Sequence, residues 1–170
     1  DIPMPTQQLN AIQLLSADHR TVEGLFEKFE ETDSMAEQHK LAQKICQELA
    51  VHTMIEEEIF YPALRGNAEE DLLDEAYVEH DGAKMLVREL MASEPGDEYF
   101  KAKVTVLKEQ IEHHVKEEEK SRDSLFAQAR KAEVDLDELG AEMAARKKEL
   151  MVQIKAEGLQ KPEYATVMAA

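Results

Sequence analysis

The sequence lacks tryptophan and has few residues that interrupt helices or cross-link chains: one cysteine, six glycines and five prolines. A single cysteine excludes an intramolecular disulfide framework. Aromatic residues make up only 5% of the chain, whereas charged residues make up 34%. A chain that is poor in glycine and proline and rich in alanine, leucine, glutamate and lysine favours long helices over sheets. We therefore expect an all-α protein.

Two further absences limit the function. Every apolar run is shorter than a membrane span, and no secretory signal pattern opens the chain. The formal net charge of −17 argues against binding to nucleic acid phosphates or to an anionic membrane surface. We expect a cytoplasmic protein in a reducing compartment, with no nucleic acid or membrane partner.

Apolar residues recur at helical spacing in four long stretches, which predicts an up-down-up-down four-helix bundle. The first helix is predicted to follow a cap at Thr6 and to run to about Glu31. Ser34 begins a capping box for the second helix, which Pro62 should kink or end. Asn67 is predicted to cap the third helix.

The second half of the chain continues the helical pattern. The fourth helix is predicted to begin near Asp97, and its pattern can continue through Leu125 towards Lys131. Asp135 or Asp137 can then cap a fifth and more exposed helix. We expect this fifth helix to pack outside the four-helix bundle, as an additional C-terminal element.

Polar residues of the kind that bind metals interrupt the apolar stripes. Each predicted bundle helix carries one core-facing histidine, and two carry a glutamate four residues later: His19, His52, Glu56, His80, His114 and Glu118. Positions i and i+4 share a helix face, so each His–Glu pair points into the core. Counting residues from each predicted turn to these side chains shows that all six could lie in one layer across the bundle. Unpaired, these groups would cost several kcal/mol in total, whereas imidazoles and carboxylates together suit a dinuclear metal site.

His113 competes with its neighbour His114 for a place in this set, because it also precedes a glutamate, Glu117, by four residues. Helical phase separates the two histidines. At about 100° per residue, His114 lies about 60° from the core residue Ile111, and His113 lies about 160° from it. His113 is therefore predicted to face outward or to support a ligand from behind.

The order of these motifs resembles the hemerythrin-like, or HHE cation-binding, family. The resemblance covers about residues 10–125 and rests on Asp18-His19-Arg20, His52 to Pro62, Glu79-His80-Asp81 and Glu112 to Glu119. It implies two non-haem iron ions, bridged by two carboxylates and by oxide or hydroxide, with histidines on both. Such centres bind O2 or react with NO or peroxide. If the chain is an enzyme, the resemblance implies peroxide decomposition or oxidoreductase chemistry linked to O2 or NO.

The third helix departs from the oxygen-carrying members of that family, which have two histidines four residues apart there. This sequence has only His80, with Ala76 four residues before it and Lys84 four residues after it. One metal is therefore expected to lack a protein ligand, and an open position favours ligand chemistry or catalysis over simple carriage. Tyr77, Glu23 and a water molecule are the candidates for this position.

Two other functions fit the same residues. One is a metal- or oxygen-responsive regulatory module without turnover, served by the long fourth helix and the fifth helix. The other is zinc or mixed-metal storage, since affinity alone does not select iron. In every case we expect one domain over residues 1–158, with a metal-binding core at about 10–125, a C-terminal helix at about 135–157 and a loose tail over 159–170.

Overall fold

A computed structural model describes residues 8–168, and all regular structure within them is helical. In chain order the helices are α1 (Ala11–Glu31), α2 (Met35–Ile55), α3 (Tyr61–Leu64), α4 (Glu70–Met91), α5 (Phe100–Val115), α6 (Leu125–Lys131) and α7 (Leu136–Glu157). Helices α1, α2, α4 and α5 form the bundle, and α7 packs against α1 and α2. The predicted all-α bundle with an additional C-terminal helix is confirmed. Among the helices of these residues, none is long and apolar enough to cross a membrane.

Side-chain caps begin several of the helices. Asn10 accepts a hydrogen bond from the Gln13 N–H at 2.9 Å, and this capping box starts α1. The cap predicted at Thr6 lies outside the described residues. Ser34 caps α2 as predicted, and Asp135 is the cap of α7, one of the two candidates for that position.

The start of α4 differs from the prediction. Asn67 does not cap the helix, because its N–H donates to the carbonyl of Leu64 at 2.8 Å and so belongs to the turn that ends α3. Gly66 provides the left-handed conformation in this turn, with a φ of 80°. Helix α4 begins at Glu70 after Glu69, whose side chain makes no capping bond. Asn67, which resembled a helix cap in the sequence, is therefore part of the turn between α3 and α4.

Helices α2 and α5 each end in one turn of π-helix, over Glu56–Phe60 and Lys116–Lys120. Single π turns inside helices often mark functional sites. Each turn contains one of the two predicted metal-binding glutamates, Glu56 and Glu118. Pro62 follows the first turn, has no N–H to donate and crowds the preceding turn, so the helix ends two residues later, as predicted.

The predicted continuation of the fourth helix through Leu125 to Lys131 is wrong. After the second π turn, residues 121–124 leave the helical conformation, and Ser124 caps α6 by accepting a hydrogen bond from the Ala127 N–H at 3.1 Å. The apolar pattern continues across this break because α6 packs its own buried residues into the bundle. Periodicity alone did not reveal the interruption.

Two apolar clusters fill the bundle on either side of a polar layer. One cluster includes Leu15 and Ile55, and the other includes Val22 and Leu49. On α1, His19 stands four residues after Leu15 and three before Val22, so it lies between the two clusters. The polar layer is therefore enclosed by apolar packing from both ends of the bundle, which strengthens electrostatic interactions within it.

The tail after α7 differs from the loose segment predicted over residues 159–170. Within its described part, the Asp81 carboxylate accepts hydrogen bonds of 2.7–2.9 Å from the backbone of residues 165–167, and one of 2.6 Å from a threonine hydroxyl there. Arg88 donates to the carbonyl of Pro162 at 3.1 Å. These polar contacts to α4, which apolar patterning does not report, hold the segment against the bundle.

Replacing Gly140 by alanine should destabilise the protein by about 1–3 kcal/mol, the usual cost of overpacking. A Cβ at Gly140 would lie 2.4 Å from Leu9 O, 2.7 Å from Asn10 C and 2.8 Å from Ala11 N, and backbone atoms cannot move aside as a flexible side chain can. Gly24→Ala is the matched control, because nothing lies within 4 Å of its Cβ. This control should stabilise α1 by roughly 0.5–1 kcal/mol. Urea unfolding measures both changes, and equal effects would contradict the close approach of α7 to α1.

Candidate metal centre

The structure brings all six predicted metal residues into the polar layer. Each exposes 5% or less of its surface: His19, His52, Glu56, His80, His114 and Glu118. The two i,i+4 pairs meet as their spacing predicts, with His52 Nε2 lying 2.9 Å from Glu56 Oε1 and His114 Nε2 in contact with Glu118. Four helices therefore contribute imidazoles to one enclosed space, and the two π turns contribute its carboxylates.

The possible ligand atoms form two groups that share Glu56, and the atoms of each group lie within 4.8 Å of one another. We name them subsite A, formed by His19, His52 and Glu56, and subsite B, formed by Glu56, His80, His114 and Glu118. In each subsite the two histidines face each other, with their Nε2 atoms 3.1 Å apart. Two groups of buried histidines and carboxylates that share Glu56 therefore provide two neighbouring positions that could hold a metal ion.

Two carboxylate oxygens in this layer have no hydrogen-bond donor among the described residues, namely Glu56 Oε1 and Glu118 Oε2. Nε2 of His52 and Nε2 of His80 lie 2.9 and 3.2 Å from Glu56 Oε1, but neither contact has hydrogen-bond geometry. A buried polar atom without a partner costs about 1–3 kcal/mol. A metal cation would satisfy both oxygens, so the residues present fit such an ion.

Tyr61 places its hydroxyl oxygen inside subsite B. The oxygen lies 2.9 Å from Glu118 Oε1 and 3.1 Å from Glu56 Oε2. It also lies 3.2 Å from Nε2 of both His80 and His114. A hydroxyl has one proton to donate, so it cannot satisfy all four neighbours at once. The Tyr61 oxygen therefore lies beside His80, the histidine of the helix on which a second metal-binding histidine is missing.

Neither protein residue proposed from the sequence for that position reaches the subsites. The Tyr77 hydroxyl donates to the backbone carbonyl of Glu57 at 3.4 Å, and its ring packs edge-on against Tyr61 with centroids 5.3 Å apart. Glu23 pairs with Arg20 at 3.2 Å on the outer face of α1. The structure therefore shows that Tyr77 and Glu23 do not fill the position, because their side chains have partners elsewhere.

The π turn explains why helical spacing did not predict Tyr61. Tyr61 stands five residues after Glu56, and the α-helical period places such a residue about 140° away. The turn over Glu56–Phe60 contains one extra residue, and the Tyr61 N–H donates to the carbonyl of Glu56 across it. This rotation returns Tyr61 to the face of Glu56. The signal in the sequence was Pro62, which makes the helix irregular directly after Tyr61.

A carboxylate contacts the outer ring nitrogen, Nδ1, of all four histidines. Each carboxylate comes from a neighbouring helix segment and stands next in sequence to one of the six residues. The pairs are Asp18–His52 at 3.0 Å, Glu57–His80 at 2.7 Å, Glu79–His114 at 2.9 Å and Glu119–His19 at 2.6 Å. An Nδ1–H donated to a carboxylate fixes the tautomer and leaves the Nε2 lone pair free for a metal.

Each of these outer carboxylates also contacts a basic side chain. The pairs are Asp18–Lys147 at 2.5 Å, Glu57–Lys84 at 2.9 Å, Glu79–His113 at 3.1 Å and Glu119–Arg20 at 2.7 Å. His113 has a side chain that is 65% exposed, so it faces outward as helical phase predicts. Spacing within the sequence does not reveal the outer carboxylates, because each belongs to a different helix from the histidine it contacts.

In the absence of metal ions, the carboxylates of this layer favour the protonated forms of two of its histidines, His52 and His114. Burial disfavours a charged His52, but Glu56 and Asp18 raise its pKa to about 10. Burial opposes a charged His114 as well, yet Glu118 raises the pKa of that ring well above its usual value. Burial opposes a charged Glu56, but His52, His114 and His80 together hold the pKa of this carboxyl well below its usual range. Metal ions must displace protons from the rings, so metal affinity should fall as the pH falls.

Comparison with known proteins agrees with this geometry. The sequence pattern of the family described as "Hemerythrin HHE cation binding domain" matches residues 10–121. The chain belongs to this family. The resemblance seen in the histidine and glutamate motifs is thereby confirmed. This HHE protein is a metal-binding helical domain, whose buried His and Glu groups can hold a metal.

Several relatives are similar over most of this HHE protein. The crystal structure of a hemerythrin HHE cation-binding domain-containing protein from Mycobacterium kansasii superposes with a TM-score of 0.71 at 26% identity, covering 89% of this chain and 95% of that chain. An uncharacterized Mycobacterium tuberculosis protein is 27% identical over 143 residues, 84% of this chain and 88% of that protein. A protein from Nostoc sp. named DNA nickase is 29% identical over 124 residues, 73% of this chain. The match spans only 34% of that relative.

Proposed function

We propose that this HHE protein holds two non-haem iron ions, one in each subsite, and binds or reacts with O2, NO or peroxide. The observation that carries the proposal is the buried Glu56, which belongs to both subsites. Glu56 would bridge the two ions, and the histidines would bind them through Nε2. Iron would supply redox chemistry and a Lewis acid for a small ligand.

In this proposal the open position lies at subsite A. Tyr61 takes the place beside His80 and His114 that the single histidine of α4 would otherwise leave unfilled. Subsite B then has its four groups together with Tyr61, whereas subsite A has only His19, His52 and the shared glutamate. An ion with fewer protein ligands has more room for an external ligand, so we place substrate binding at subsite A.

The enclosure of the site favours small ligands. The two apolar clusters lie above and below the polar layer, and the six metal residues are almost fully buried. A diatomic molecule or peroxide can enter such a space by small side-chain movements, whereas a larger organic substrate would require the bundle to open. Around the reacting molecule, the outer carboxylates would hold the imidazoles in place and the apolar clusters would exclude water.

A metal-responsive regulatory module is the second candidate function, and one chain of contacts favours it. The tail is bound by Asp81, Asp81 pairs with Lys84 at 3.5 Å, and Lys84 pairs with Glu57, which contacts His80. Metal binding at His80 could therefore change how residues 162–167 are held. Equal hydrogen exchange of these tail amides in metal-free and metal-loaded protein would count against such a switch.

The proposed function is tested by metal analysis and by titration with the three ligands. After expression with iron, we expect about two iron ions per chain. Anaerobic reduction followed by O2, NO and H2O2 titrations, watched by visible absorbance, separates reversible binding from turnover. Less than about one iron per chain, or zinc in place of iron, would contradict the iron proposal. Bound iron that responds to none of the three ligands would contradict the reactivity.

A further inference from the structure

Helix α7 contributes a charged residue to the surroundings of the metal centre. Lys147 Nζ lies 2.5 Å from Asp18 Oδ1, and the other oxygen of the same carboxylate lies 3.0 Å from His52 Nδ1. The Asp18 side chain is 8% exposed and the Lys147 side chain 32% exposed, so the three groups form a partly enclosed row from the surface to subsite A. We name this row the Lys147–Asp18–His52 triad.

Among the four outer carboxylates, Asp18 is the one whose basic partner comes from α7. The other three pair with Lys84, His113 and Arg20, which all lie on bundle helices within the segment that the family pattern matches, residues 10–121. Lys147 lies beyond that segment. The C-terminal helix therefore reaches the subsite that has the fewest protein ligands.

We propose that Asp18 and Lys147 are positioning residues for the metal ion of subsite A, and that α7 thereby sets the affinity and reduction potential of that ion. This inference rests on the proposed function. Asp18 accepts the Nδ1–H of His52, so the ring is held as the tautomer whose Nε2 faces His19 and Glu56. Lys147 holds the second oxygen, which fixes the orientation of the carboxylate and partly neutralises its charge.

The two residues should act on the reduction potential with opposite signs. An ionised carboxylate on Nδ1 makes an imidazole a stronger donor and stabilises the more oxidised ion. Asp18→Asn removes that negative charge and should raise the potential. Lys147→Met removes the positive charge that moderates Asp18, so it should lower the potential. Loss of packing alone has no reason to produce two shifts of opposite sign.

The matched control lies next in sequence on α7. Arg146 donates to Glu58 Oε2 at 2.8 Å, and so joins α7 to the first π turn, much as Lys147 joins it to α1. The Glu58 side chain is 41% exposed, and it contacts no histidine among residues 8–168. Arg146→Met therefore removes the same charge and the surface ion pairs of Arg146 with Glu58 and Glu149, but it leaves the triad intact.

The experiment uses the full chain loaded with iron. Midpoint potentials are measured by spectroelectrochemistry for the parent, Asp18→Asn, Lys147→Met, Lys147→Arg and Arg146→Met. In parallel, metal-free protein is titrated with Co²⁺, and two successive binding steps are followed by absorbance. We expect Asp18→Asn to weaken one of the two Co²⁺ steps by about 10- to 100-fold, the usual effect of losing an outer partner of a metal-binding histidine.

The potentials should rise in Asp18→Asn, fall in Lys147→Met, return towards the parent value in Lys147→Arg and stay unchanged in Arg146→Met. Equal shifts in Lys147→Met and Arg146→Met would overturn the inference, because they would show a general charge effect. Midpoint potentials that stay at the parent value in both Asp18→Asn and Lys147→Met would also overturn the inference. A parent protein that takes up only one Co²⁺ or no iron would instead contradict the proposed function. If Asp18→Asn fails to fold, the three lysine and arginine variants decide the question.

Discussion

The variant Glu56→Gln is expected to bind about one metal ion per chain where the parent binds about two. Glu56 is the one group that both subsites share, and its side chain is fully buried. An amide is a neutral and weaker ligand than a carboxylate, so subsite A would retain only its two imidazoles. Subsite B keeps His80, His114 and Glu118, with Tyr61 beside them, and should retain its ion. Iron and Co²⁺ content per chain measures the loss.

Glu58→Gln provides the control for this variant, since it makes the same change two residues away in the same π turn. The Glu58 side chain is 41% exposed and pairs with Arg146, so metal content should stay at the parent value. Circular dichroism of the metal-free proteins checks that both variants keep their helices. Two tightly bound ions in Glu56→Gln would show that neither ion depends on Glu56, and the bridging role proposed for this carboxylate would then fail.

The bundle and the six central residues could be predicted because they obey the regular α-helical period. His52 and Glu56 are four residues apart on an apolar stripe, and the same spacing relates His114 to Glu118. Such spacing places two side chains on one face whatever the neighbouring helices do. The burial of these residues followed from the same stripes. Local helical periodicity is therefore sufficient to predict both the helical bundle and the six residues at the centre of the site.

The residues that the sequence did not reveal depend on geometry that periodicity does not describe. Tyr61 enters subsite B only because a π turn rotates it there. Asp18 contacts His52 from another helix and Lys147 contacts Asp18 from a third, so no spacing within one segment predicts these contacts. Asp81 binds the tail from a position 84 or more residues earlier in the chain. The contacts of Asp18, Lys147 and Asp81 join distant segments, and they require the packed structure.

The outer carboxylates also explain how so many charges can lie in one buried layer. Asp18 and Glu57 each bind a histidine on one side and a lysine on the other, so neither carboxylate is buried without a partner. Removing one member of such a buried pair leaves an uncompensated charge and typically costs 3–5 kcal/mol. Stability and ligand geometry therefore depend on the same contacts around the metal centre.

Tyr61→Phe is expected to weaken metal binding at subsite B and to change the colour of the iron-loaded protein. Burial, together with the charges of Glu118 and Glu56, raises the pKa of the Tyr61 phenol well above its usual value, so the phenol keeps its proton in the metal-free protein. If subsite B holds a ferric ion, the Tyr61 oxygen would be its ligand in the deprotonated form, and such a phenolate ligand gives the protein a visible charge-transfer band. Tyr61→Phe should lose this absorption band and should bind the ion of subsite B about 10- to 100-fold more weakly than the parent.

The matched control for this last variant is Tyr77→Phe, because Tyr77 packs against Tyr61 but donates its hydroxyl to the Glu57 carbonyl. Absorption spectra and Co²⁺ titrations of the two variants should therefore differ, with Tyr77→Phe keeping the band and both binding steps. Phenylalanine fills the same buried volume as Tyr61, so a change limited to Tyr61→Phe reports the oxygen atom and not the packing. If the parent lacks the band, or if Tyr61→Phe leaves it intact, Tyr61 is a hydrogen-bond donor to Glu118 and the open position returns to subsite B. The ligand titrations would then respond to changes at His80 and His114 and not at His19 and His52.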